Sequence, residues 1–175
     1  MELTLDQALK NGIEAHKAGK VQEADRYYTS ILIAQPKHPD ANHNMGVLAV
    51  GIGKIQQALP FFKKALETNP GIDQFWFSYI NALIKLSLVA DAKAVLDEAK
   101  SKGVKGDGFA DAYNNMGNAL KDQGKLEEAI EAYNKAVLLN PNYAQAYYNM
   151  GSALQDQGKL DKAIESYNKA LSLKP

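Results

Sequence analysis

The chain has no cysteine among its 175 residues. A disulfide framework and a thiolate zinc site are therefore excluded. The composition fits a reducing compartment, and a cytoplasmic location is the expectation. Neither sign of charge is in excess: 20 basic residues face 20 acidic ones. Nucleic-acid binders carry a basic excess or a basic stripe, and neither is visible. No apolar run approaches the ~18 residues that a membrane span needs. The opening Met1-Glu2-Leu3-Thr4-Leu5-Asp6 lacks the basic and apolar regions of a signal peptide. Histidine is scarce. His16, His38 and His43 do not pair at helical spacing and have no carboxylate pattern for zinc. No metal, no cofactor and no enzyme activity are expected. Gly51-x-Gly53 is not a phosphate loop, because no strand precedes it.

What the chain does have is repetition. Tyr113, Met116-Gly117, Gly124, Ala129, Tyr133, Ala136 and Pro141 recur as Tyr147, Met150-Gly151, Gly158, Ala163, Tyr167, Ala170 and Pro175. The offset is about 34 residues, a period of helical repeat arrays. On this period the chain divides into units at 5–38, 39–72, 73–106, 110–143 and 144–175. Each reads as two helices. The first carries apolar residues at i, i+3, i+4 and i+7, as in Tyr113, Met116, Gly117 and Leu120. A glycine (Gly19, Gly53, Gly124, Gly158) then accepts the left-handed turn. The second helix ends before Pro36, Pro70, Pro141 or Pro175, since the residue before a proline leaves helical geometry. Gly12, Gly46, Gly117 and Gly151 are expected to face Ala24, Ala58, Ala129 and Ala163 across each pair. Thr4 and Gln7 fit a capping box.

This spacing of aromatic, Met-Gly, Gly, Ala, aromatic, Ala and Pro resembles the tetratricopeptide repeat family over essentially the whole chain. The resemblance implies an all-α, right-handed superhelical solenoid of five repeats and ten helices, with the first helices lining a concave face. It also implies a non-enzymatic scaffold that binds proteins or extended peptides.

The third unit departs from the pattern. Ile80 replaces the close-contact glycine and Ser87 the turn glycine, and Val104 stands where a proline is expected. Residues 107–109 are inserted, so 101–109 reads as a seam. Three diverged repeats occupy 1–106, and two consensus-like repeats occupy 110–175. The last two share roughly two-thirds of their residues, beyond what the fold alone demands. The chain shows no capping helix after Leu160–Leu173. An apolar edge of Ile164, Tyr167 and Leu171 is expected there, and with it self-association as an alternative role.

Carrying the family's groove positions over residue by residue gives Lys10 in the first repeat and His43 and Asn44 in the second. The third supplies Phe77, Asn81 and Lys85, the fourth Asn115 and Asn118, and the fifth Tyr148 and Asn149. Asn44, Asn115 and Asn149 share one position; Asn81 and Asn118 share another. Amides both donate and accept, so such a row can hold the backbone of an extended peptide. The row is similar to the asparagine ladder of O-linked N-acetylglucosamine transferases, which makes a recognition arm of a larger glycosyltransferase a further alternative. A carboxylate clamp does not fit, because Leu9, Ile13, Gln74 and Ser78 supply no cation at the required positions, and charge-assisted bonds are what that mode relies on.

Overall fold

A computed structural model describes residues 3–174. Among these residues there are ten helices and no strand: α1 (Leu5–Lys17), α2 (Val21–Ala34), α3 (Pro39–Gly51), α4 (Ile55–Thr68), α5 (Asp73–Lys85), α6 (Val89–Ser101), α7 (Gly108–Asp122), α8 (Leu126–Leu139), α9 (Ala144–Asp156) and α10 (Leu160–Leu173). None is long and apolar enough to cross a membrane. Pro175, expected to close the last repeat, lies outside the described residues. The chain forms two compact units, Met1–Ala82 and Leu83–Pro175, with the boundary inside α5. Residues 101–109 lie within the second unit.

The helix ends follow from a few residues. Thr4 and Gln7 form the expected capping box, with reciprocal bonds of 3.0 and 3.2 Å. Gly19, Gly53, Gly124 and Gly158 take φ between 72° and 78°. After each glycine the next amide reaches back to close the turn, as in Lys20 to Ala15 (2.9 Å) and Lys125 to Leu120 (2.9 Å). Those two bonds are the Schellman closure of a helix C-terminus. Ser87 adopts the same left-handed turn with φ 58°, and Leu88 still bonds to Leu83 at 3.0 Å. The turn thus persists without its glycine, at the cost of Cβ strain. The inserted residues 107–109 are absorbed into α7, which runs to 15 residues while α9 has 13. Phe109 is buried there, so the insertion adds a turn of helix with its own core contact.

The pairing of helices differs from the expectation in one respect. The glycines of the first helices do not meet the alanines opposite; they meet aromatic rings. A Cβ on Gly12 would lie 2.7 Å from Tyr28, on Gly46 2.6 Å from Phe62, on Gly117 2.5 Å from Tyr133, and on Gly151 2.8 Å from Tyr167. The reason is reach: an alanine methyl is short, whereas a ring one turn further along extends across the interface. Only Gly151 also approaches the alanine, at the Ala163 carbonyl, 3.2 Å away. The third repeat carries Ile80 at the glycine position and Leu96 at the ring position, and both are fully buried. Its large residue is reduced where its small one is enlarged.

Replacing Gly117 by alanine should therefore destabilise the chain. Overpacking costs about 1–3 kcal/mol, which outweighs the helix-propensity gain of about 1 kcal/mol. Gly51 has nothing within 4 Å of a built Cβ, so Gly51→Ala should be neutral or stabilising. Urea denaturation measures both, and a Gly117→Ala variant at least as stable as its parent contradicts the close contact.

Candidate functional site

In the first unit, α3 docks on α2. Ala41 packs with Ile31, while Met45 and Leu48 pack with Tyr28. This leaves His43 and Asn44 on the side of α3 away from α2. The His43 ring stacks on Phe75 of α5 at 4.6 Å and 25°, and tilts against Phe62 at 5.8 Å. Its Nε2 is 2.9 Å from the Ser78 hydroxyl, which accepts a 3.2 Å bond from the Gln74 amide. With its lone pair taken by Gln74, the hydroxyl donates to His43, so Nε2 is the acceptor and the ring is neutral. The pKa of His43 is accordingly lowered, chiefly by burial, with Asp40 opposing. Asn44 donates to the Asp40 carbonyl of its own helix at 2.8 Å. Phe77 and Asn81 on α5 are half-buried and engaged with neighbours. Lys10 is exposed and lines a shallow groove of about 330 Å³ with Asp6, Leu9, Ile13, Glu14 and Lys17.

The second unit has a different character. Asn149 on α9 donates through one amide nitrogen to Asn114 (2.9 Å) and Asn118 (3.1 Å) on α7, and accepts from Gln145 (2.9 Å). Asn118 also accepts from the Tyr133 hydroxyl at 2.8 Å, which turns its own amide nitrogen outward. Lys121 reaches α9 as well, bonding Ser152 at 2.6 Å and pairing with Asp156 at 3.3 Å. Asn115 is half-buried and engaged, and Lys85 on α5 is exposed. Tyr148 is 56% exposed. It tilts against Tyr167 at 5.4 Å and lines the outer side of the α9–α10 pair.

The structure thus brings Asn114, Asn118 and Asn149 into one network across two first helices. Asn114, 4% exposed, carries a central role that the repeat pattern does not single out. Its signal was available: it stands one residue before Asn115, at the position His43 holds in α3. The two positions behave alike, since His43 bonds to Ser78 and Asn114 to Asn149, each on the following first helix. Asn44 has no such partner because α1 offers Leu9 and Ile13 where α7 offers Asn114 and Asn118. The same residue type at the same repeat position therefore staples α9 to α7 yet only back-bonds within α3.

Two outcomes follow. Asn149→Ala strands the buried Asn114 oxygen and should cost about 1–3 kcal/mol. Asn44→Ala should stay within about 0.5 kcal/mol of the parent. Equal losses by urea denaturation would contradict the contrast. His43 should titrate below its ordinary 6.5. As pH falls through that value the unfolded chain binds a proton that the folded chain refuses, so the stability due to His43 is full above it. That stability drops between the unfolded and folded values. An NMR midpoint for His43 at or above the ordinary value contradicts the neutral, Ser78-bonded ring.

Comparison with known proteins agrees with this architecture. Models of the tetratricopeptide repeat match residues 43–107 and 144–175, and a model described as TPR repeat matches 117–158. Small glutamine-rich tetratricopeptide repeat-containing protein 2 of Mycosarcoma maydis is 33% identical over 85 residues, which is 49% of this chain and 23% of that protein. The chain thus spans less than a quarter of that relative. Among solved structures, MamA shares 24% identity with a TM-score of 0.83 over 97% of this chain and 91% of its own. YrrB, described as a TPR protein with an unusual peptide-binding site, shares 21% identity with a TM-score of 0.75 over 98% and 87%. Likeness at these identities carries the fold, an all-α repeat solenoid. The matching family models and the curated relative are named for the repeat and not for a reaction. With its repeat models spread over most of its length, the chain belongs to the tetratricopeptide repeat family.

Proposed function

We propose that this chain is a non-enzymatic scaffold that binds proteins or extended peptides on the exposed faces of its first helices. The observation that supports this most is the pair of contrasting faces. In the first unit, half-buried Leu9, Ile13, Val47 and Val50 accompany His43 and Phe77, with Lys10 exposed at the edge. Such a face suits apolar or aromatic side chains of a ligand. In the second unit, Asn115 and Asn118 present amides beside exposed Lys85, which suits a peptide backbone. The outward amide of Asn118 is fixed by Tyr133 and Asn149, so it loses little side-chain entropy when it binds. Fixed donors of this kind lower the cost of association. A peptide-binding site is named for YrrB, of the same fold, and this adds to the reading.

Selection from a random peptide library against the whole chain supplies the probe. Phe77→Ala in the first unit, or Asn118→Ala in the second, should weaken the best peptide by roughly tenfold, as for hot-spot residues. Circular dichroism should be unchanged in each. Lys63→Ala and Lys64→Ala, on a second helix, should leave affinity intact. Binding that survives both first-helix variants and fails with the lysine variants would sink this proposal.

A further inference from the structure

The outer side of the last helix pair is an apolar shelf. Ala144, Tyr148, Tyr167, Ala170 and Leu171 line a groove of about 450 Å³, edged by Gln145, Gln155 and Lys174. Leu171 is 63% exposed, and Ile164 beside it is 57% exposed. One repeat earlier the corresponding residues are Tyr133, Ala136 and Val137, and all three are buried. What buries them is α9, which packs on α8. The α2–α3 interface of the first unit has the same register, with Tyr28 and Ile31 meeting Met45, Leu48 and Ala41. The shelf therefore continues an interface that the chain already builds twice.

The helices that fill these shelves share a short code. Ala41, Asn44, Met45 and Leu48 recur as Ala146, Asn149, Met150 and Ala153, and as Ala112, Asn115, Met116 and Ala119 in α7. Alanine lets the backbone approach, methionine fills the gap beside the ring, and the small or branched residue closes one turn on. Asparagine sits where it can meet a polar group of the preceding first helix, as Asn149 meets Asn114. On the last shelf that polar group is the Tyr148 hydroxyl.

A second copy arriving head to tail does not match. At these code positions α1 carries Gln7, Lys10, Asn11 and Glu14. Docking α1 would bury a carboxylate and two amides against Tyr167 and Leu171. A buried polar group without a partner costs several-fold more than a hydrogen bond returns. The N-terminal face thus resists stacking, and the last shelf invites it.

We propose that the Tyr148–Tyr167–Leu171 shelf docks an amphipathic helix of a partner protein. That helix carries alanine, a hydrogen-bonding residue, methionine and alanine or leucine at i, i+3, i+4 and i+7. This is a helix-in-groove mode, separate from the first-helix faces. A peptide with the sequence of residues 143–158 contains the code and serves as the probe. Titrated into the whole chain and followed by NMR, which detects millimolar binding, it should shift Tyr148, Tyr167 and Leu171. Leu171→Lys, at an exposed position that leaves the fold intact, should weaken it by roughly tenfold or more. A peptide with lysine replacing the residue equivalent to Met150 should not bind. The absence of shifts at millimolar peptide overturns the proposal, as does binding indifferent to Leu171→Lys. Sedimentation of the chain alone completes the test. Concentration-dependent dimers abolished by Leu171→Lys would assign the shelf to a second copy instead.

Discussion

Every first helix after α1 has to lay a face on the helix pair before it, and the rest of the structure depends on how that face is composed. A tetratricopeptide pair cannot bury its own apolar side; its neighbour must do so. In α3 and α9 the solution is alanine, methionine and a small or branched residue against a tyrosine of the preceding second helix. In α5 it is Ala82 with half-buried Tyr79, against Phe62 and Ala58. The ring that receives the neighbour is the one pressed against a glycine inside its own pair. Tyr28, Phe62 and Tyr133 therefore serve two interfaces at once, and all three are almost wholly buried. Removing the glycine displaces the ring, and displacing the ring disturbs the next repeat.

Much of this was legible in the sequence because the constraints are local. Turn glycines and prolines mark helix ends by backbone geometry alone, and α2, α4 and α8 stop just before Pro36, Pro70 and Pro141. Ser87 shows that the turn outlasts its preferred residue, since tertiary packing overrides a modest strain. Pro60 shows the converse: it sits exposed inside α4, where a strict reading of proline would end the helix. What spacing alone did not reveal was which partner each residue meets. The glycines were matched to alanines because both are small, but contact depends on the length of the opposing side chain. Asn114 was passed over because a repeat pattern highlights identical residues, and the second member of its bond lies on another repeat.

The asparagine positions illustrate how one residue type divides its work. An amide in a repeat array can bond within its helix, across to the next repeat, or outward. Asn44 takes the first course, Asn149 the second, and Asn118 combines the second and third. The choice is made by the preceding helix, through Leu9 and Ile13 in one unit and Asn114 and Asn118 in the other. A face available to a ligand is thus whatever the internal network leaves over. In the first unit that remainder is aromatic and apolar; in the second it is amide and lysine.

The account rests on the polar staple that joins consecutive first helices above the apolar interface. A double-mutant cycle on Asn114→Ala and Asn149→Ala, read by urea denaturation, tests it most directly. A coupling of about 1 kcal/mol is expected, since contacting residues in one hydrogen-bond network typically couple by about 0.5–3 kcal/mol. Simple additivity of the two losses would show that these amides do not act on each other, and would contradict the account.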